Sequence, residues 1–154
     1  MPRERKWGNF KISESIDAAF ENAKSEVEEL YEEMDSWRDN MGNSEGLSQT
    51  EKFERVEEAA NSLETAKDNL EYVDLSGLNL DLDNVEFIET RKRSYPRWVR
   101  CANAAVRIEA IREFLQNEVN KEDNVEIMEK LEEQIGYLEE AFGDLECVEF
   151  PGMF

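Results

Sequence analysis

Residues 13–41 read SESIDAAFENAKSEVEELYEEMDSWRDNM, and this stretch decides the fold class. Its apolar residues Ile16, Phe20, Ala23, Val27, Leu30, Met34, Trp37 and Met41 are spaced 4-3-4-3-4-3-4. A helix places residues three and four apart on one face, so the spacing is an unbroken heptad stripe. Ser13 is placed to cap the amino end and Gly42 to stop the helix. Such a helix is about 43 Å long at the usual rise per residue.

The same signal recurs downstream. Residues 42–47 read as a loop, and Ser48-Gln-Thr-Glu51 as a capping box. Phe53, Val56, Ala60, Leu63 and Leu70 then carry a second helix to about residue 73. The short link makes the two helices antiparallel neighbours. Pro96 suits the start of a third helix over 95–119, with Trp98, Cys101, Ala105, Ile108, Leu115 and Val119 on its inner face and Ala102 and Ile111 flanking. Asp123-Asn-Val-Glu126 offers another capping box for a fourth helix over 124–146, lined by Met128, Leu131, Ile135, Leu138, Phe142 and Leu145.

Between helices two and three the pattern breaks. Leu75, Leu78, Leu80 and Leu82 alternate with Asn and Asp, so 74–84 reads as a loop with extended character. Residues 85–93 read as a short helix, because a structureless loop of that combined length is unusual. The apolar tail Val148-Glu-Phe-Pro-Gly-Met-Phe154 cannot be helical through Pro151 and is expected to dock. The expectation is therefore all-α: an antiparallel bundle of about four main helices with a long connection between helices two and three. It divides into a basic N-terminal arm (1–12), a single helical-bundle domain (13–147) and the apolar tail (148–154). Two helical hairpins joined by 74–94 are the alternative, and the 3-4 spacing also permits a homodimer through a shared seam.

Composition excludes several chemistries. The chain has 154 residues, 38 acidic and 18 basic side chains, no histidine and two cysteines. No His and only two Cys nearly exclude the usual zinc sites, and the lack of His excludes His-dependent triads. Ferritin-type di-metal bundles fall for the same reason, because they need Glu-x-x-His. Neither a cofactor nor catalysis is expected. The formal charge of −20 argues against direct binding of nucleic acid and against an anionic membrane surface. The N-terminus leads into no apolar run and no stretch approaches a membrane span, so a cytoplasmic compartment is expected.

The charge is unevenly distributed. Residues 1–12 sum to +3, 13–90 to −18, 91–112 to +6 and 113–154 to −11. Ten carboxylates lie between Glu14 and Asp39, one per roughly 3.8 Å of helix. One strand of B-DNA carries a charge per about 3.4 Å, so this face approaches the charge density of a nucleic-acid strand. Glu21, Glu28, Glu29, Glu32, Asp35 and Asp39, joined by Glu54, Glu58 and Asp68 of helix two, are the candidate partner-binding acids. The partner they fit is a basic protein. Acidic outer faces often serve solubility alone. Here the excess persists in both arms, and lysines that would form i, i+4 pairs are scarce.

The basic stretch has Arg91, Lys92, Arg93, Arg97 and Arg100 as candidates for a secondary contact, with Tyr95 and Trp98 interleaved and Arg107 and Arg112 beyond. Phosphate contact with stacking is one reading. Internal neutralisation of acidic helices in the same chain or a dimer mate is the other.

Three motifs fall short. Cys101-x5-Arg107 has the spacing of a phosphatase loop, but it lacks Gly and its periodicity is helical, so Cys101 reads as a small core residue. Asn79-x-Asp81-x-Asp83 begins like a calcium loop, yet Asn84 replaces the needed Gly and Thr90 the closing Glu. The Asp/Asn-Leu/Val steps over 73–85 resemble pentapeptide-repeat β-helices, but three units make less than one coil.

Leu30-x-x-Glu33-x-x-x-Trp37-Arg-Asp-Asn-Met41, followed by Phe53-x-x-Val56-x-Glu-Ala-Ala60-x-x-Leu63-Glu64, resembles a pattern in uncharacterised small acidic proteins of tailed bacteriophages. It covers residues 30–64, and its Trp-Arg-Asp-Asn step is the most distinctive part. The resemblance implies a viral origin and a bacterial host cytoplasm, and assigns no site residues. The sequence therefore leads to a non-enzymatic phage accessory protein that binds and inhibits a host nucleic-acid-handling or antiviral defence protein by nucleic-acid mimicry. A helical adaptor or oligomeric structural protein working through heptad seams is the competing expectation.

Overall fold

The computed structural model describes residues 7–44, 46–78, 80 and 83–151. Among them the order is strand β1 (Gly8–Ser15), helix α1 (Ile16–Gly42), a 3-10 turn (Leu47–Gln49), helix α2 (Glu51–Tyr72), strand β2 (Asn84–Arg91), helix α3 (Arg97–Lys121) and helix α4 (Val125–Cys147). The fold is mostly helical with a small two-stranded sheet, so the all-α expectation needs correcting at both strands.

In α1 the heptad stripe becomes the core. Ile16, Phe20, Ala23, Val27, Leu30, Met34 and Met41 are buried. Trp37 packs partly buried against them. The helix starts later than expected because pairing with β2 holds residues 8–15 extended. Ser15 rather than Ser13 is the N-cap, accepting from the Ala18 amide at 3.2 Å. Residues 8–12 of the expected arm thus belong to a strand. In α2 the cap is Thr50, not Ser48. The 3-10 turn delays the helix to Glu51, and the Thr50 hydroxyl oxygen accepts from the Phe53 amide at 3.1 Å.

The short helix expected over 85–93 is strand β2. Val85 and Phe87 point inward and are buried, while Glu86 and Ile88 point out. That period of two fits a pleated strand with one covered face. β1 and β2 pair antiparallel from Gly8↔Arg91 to Ser15↔Asn84. Of the calcium-like motif, Asn79 and Asp81 lie outside the described residues, as does Leu82 of the alternating leucines.

α3 packs against α1, α4 and β2 at once. Its buried arc is correspondingly broad, taking in Val99, Asn103, Ala104, Arg107 and Ile111 beside Cys101, Ala105, Ile108 and Leu115. Trp98, expected inside, is instead 55% exposed. The Lys92 ammonium lies over its ring at 4.5 Å. α4 is capped by Asn124, whose side chain accepts from the Glu126 and Ile127 amides. Leu131, Ile135, Leu138 and Leu145 form its buried face. Buried Gln134 accepts from the Asp74 amide at 2.6 Å, which ties down the connection after α2.

The helices meet in a ring: α1 on α2 and α3, and α4 on α3 and α2. α2 and α3 therefore stand at opposite corners. Val148 and Phe150 of the tail pack against the core, and residues 152–154 lie outside the described residues. No helix among the described residues is long and apolar enough to cross a membrane.

Candidate functional site

The ring sorts the charges. α3 carries four of the chain's ten arginines, more than any other element, and its neighbours supply carboxylates within reach. On the α1 side, Glu26, Glu29 and Glu33 follow a 3-4 spacing that turns them toward α3. Arg100 grips Glu33 with two nitrogens, Nη2 to Oε2 at 2.6 Å and Nη1 to Oε1 at 3.0 Å. It also bonds Glu26, and Glu29 lies 3.6 Å away. Arg97 adds a 3.3 Å contact to Glu33. The hydrogen bond from Arg100 holds the Glu33 carboxyl below the usual range, and the same bond pushes the Arg100 guanidinium up. Bidentate pairing suits the planar arginine fork.

A second hub lies under the sheet. The Arg107 side chain is only 11% exposed. Its Nε donates to Glu14 Oε1 at 3.0 Å, its Nη2 to Glu89 Oε1 at 2.7 Å and its Nη1 to the Asn103 carbonyl at 3.2 Å. The guanidinium also covers the Phe87 ring at 4.6 Å. One residue of α3 thereby fastens both strands. Asn103 assists, accepting from the Thr90 amide at 2.9 Å and donating to its carbonyl at 2.9 Å. The internal-neutralisation reading of the basic stretch thus holds for Arg107, while Asn103 did not stand out in the sequence, because a polar residue inside a buried arc looks like a break in the stripe.

The candidate acids divide. Glu21, Glu28, Glu32, Asp35 and Asp39 share one row of α1, running 7-4-3-4 along the helix. The row points outward: Asp35 is held by Arg38, which at 3.1 Å also bonds Asn61 of α2, whereas Glu32 lines a groove with Glu29, Glu33, Trp37 and Arg97. Glu29 belongs to the neighbouring row turned toward α3. Glu54, Glu58 and Asp68 are all exposed on α2. Glu58 turns toward α4 and shares a shallow groove with Arg55, Cys147 and Glu149. The nine residues therefore spread from the α3 side of α1 across its outer face to α2 instead of forming one flat face.

The charge density also falls. Arginine contacts occupy Glu26, Glu29, Glu33 and Asp35. Asp17, Glu21, Glu28, Glu32 and Asp39 make no ion pair among the described residues. Those five span about 33 Å, one per roughly 7 Å, about twice the spacing along a DNA strand.

The candidate basic contact shrinks as well. Arg91 pairs with Glu89 at 3.0 Å and lies over Phe10 at 5.0 Å, while Arg97 and Arg100 hold α1. Lys92 and Arg93 remain exposed, beside Tyr95 and Trp98. Arg112 serves Glu109 and, at 3.6 Å, Glu139 of α4. Cys101 is buried, and burial pushes its thiol up to about 12. Among the described residues, no group of three metal-ligating side chains converges. No protein-family model, curated protein or solved structure matches the chain.

Proposed function

We propose that the acidic surface around α2, with the outer row of α1 beside it, is the contact face for a basic partner protein. One observation carries this reading: α3 spends its arginines inside the fold, while α2, at the opposite corner, has no basic helix next to it. The acids of α2 and of the outer row of α1 therefore keep their charge, where those of α1 that face α3 are offset by its arginines. Charge at that density steers a positively charged groove to the face and makes association salt-dependent.

In this reading the four helices form an antiparallel bundle whose role is to hold the acids rigid, so that they stand in for nucleic-acid phosphates. The chain acts without catalysis as a phage accessory protein that inhibits a host nucleic-acid-handling or defence protein. The phage origin rests on the resemblance over residues 30–64. The heptad-seam adaptor gains no support, because the seam residues are buried within the chain itself.

The test is a charge reversal that leaves the fold alone. Asp35 is unsuitable, since it positions Arg38. Glu32→Lys combined with Asp39→Lys changes two exposed residues that make no ion pair among the described residues. The double variant is expected to keep its helical circular dichroism and to lose the partner captured from a bacterial lysate. Undiminished capture removes this face from the account.

A further inference from the structure

We propose that the free edge of β1 pairs with β1 of a second copy of this chain, joining the two-stranded sheets into one of four strands. The starting point is the direction of the backbone groups. In an antiparallel ladder, alternate residues turn both N–H and C=O toward the partner strand or away from it. Both groups of Thr90 are taken by Asn103 on the far side of β2. The Ile16 amide bonds the Asp83 carbonyl at 3.1 Å, extending the same register inward. These two observations fix the parity. The even residues Phe10, Ile12 and Glu14 bond β2, and the odd residues Asn9, Lys11 and Ser13 face outward.

That outward edge is open. Among the described residues, the backbone of β1 runs beside β2 and the start of α1, and the Glu14 side chain reaches Arg107 of α3 on the inner face, away from this edge. Among the described residues, nothing hydrogen-bonds the backbone of Asn9, Lys11 or Ser13. A lysine in mid-strand is a common guard against edge pairing. Here the guard is turned away, because the Lys11 ammonium reaches across the sheet to Glu86 at 3.1 Å.

Three features favour a second copy as the occupant. The first is charge. On the outer faces of α1, α2 and α4 two copies present acids to each other, whereas β1 contains one Lys and one Glu, and Glu14 is already held by Arg107. The second is register. A two-fold axis at Lys11 opposes lysine to lysine, and an axis at Phe10 shortens the overlap to residues 8–12. An axis at Ile12 sets Lys11 opposite Ser13 and Asn9 opposite Ser15, all within the strand, with outward groups facing outward groups. The third is continuity. That axis also sets Ile12 beside its counterpart and extends the inner apolar row from Phe87, which is Ile12's partner across the existing ladder. Half-buried Ile12 is thereby covered.

Light scattering after size exclusion, at moderate salt to screen the shared negative charge, is expected to give twice 18.0 kDa. Lys11→Pro and Ser13→Pro each remove an outward N–H without touching the ladder to β2, and edge strands tolerate proline. Both are expected to give a folded monomer with unchanged helical circular dichroism. Hydrogen exchange on the unaltered chain provides a readout independent of any variant. The Lys11 and Ser13 amides are expected to be as protected as Phe10 and Ile12. A mass of 18.0 kDa at every concentration overturns the proposal, as does rapid exchange at Lys11 and Ser13 or a folded proline variant that remains dimeric.

Discussion

Replacing Arg107 with Met tests whether α3's positive charge is structural. The substitution keeps an apolar stem over Phe87 and takes the guanidinium from two carboxylates whose side chains are only 20% and 19% exposed, leaving Glu14 with the Asn22 amide and Glu89 with Arg91. Removing one partner of a buried ion pair costs about 3–5 kcal/mol. Because the carboxylates keep about a fifth of their exposure, the expected loss is near the low end, about 3 kcal/mol. With a urea slope of about 2 kcal/mol/M, the unfolding midpoint followed by circular dichroism should fall by about 1.5 M.

The pH dependence separates this cause from simple loss of packing. In the native chain, burial pushes Glu89 up, but hydrogen bonds from Arg107 and Arg91 outweigh it and hold the carboxyl below the usual range. Its stabilisation is therefore present above the unfolded value of about 4.3 and is lost as pH falls through the lowered one. In the variant the Arg107 bond is lost and Arg91 alone opposes burial, so the Glu89 carboxyl lies higher than in the native chain and the variant's folded state takes up its proton at a higher pH than the native folded state does. The variant's deficit relative to the native chain should then shrink as pH falls from 7 into the carboxylate range. Adding Glu14→Gln and Glu89→Gln should restore most of the stability, because neutral amides avoid the orphaned charge. A loss below about 1 kcal/mol, or a deficit that widens as pH falls, refutes the reasoning.

Other outcomes follow from the same structure. Asn103→Ala leaves the Thr90 amide and carbonyl without their partner, which should cost about 1–3 kcal/mol by urea denaturation and speed exchange at that amide. A thiol reagent should modify exposed Cys147 in the native chain, and buried Cys101 only after unfolding. Equal native reactivity contradicts the burial of α3. Added monovalent salt should raise the melting temperature, because the acids without partners outnumber the ion pairs it weakens. A flat or falling temperature means that the Arg97, Arg100 and Arg107 pairs dominate.

The helices were legible where burial is one-sided. α1, α2 and α4 each press one stripe on the core, so Ile16 to Met41, Val56 to Leu70 and Leu131 to Leu145 announce themselves by spacing. α3 was read in the wrong phase at Trp98, because it is covered from three directions and includes Asn103 and Arg107 in its buried arc. The strands were missed for different reasons. β1 has an inward charged residue, Glu14, whose partner Arg107 is far along the chain. β2 does alternate at Val85, Glu86 and Phe87, but three alternating residues at the end of a long connection are too short a signal to separate a strand from a helical turn. The acids were legible as residues but not by role. Nothing local distinguishes Glu29 and Glu33, which serve Arg100, from Glu32, which makes no ion pair among the described residues.

The central claim is that the acidic surface around α2 occupies a groove built for nucleic acid. Its most direct test is competition. A partner captured from a bacterial lysate on the immobilised chain at low salt is challenged with increasing double-stranded DNA. The account predicts displacement by DNA and by salt, and no capture by the Glu32→Lys, Asp39→Lys chain. A partner that stays bound through excess DNA, at low and high salt alike, contradicts it.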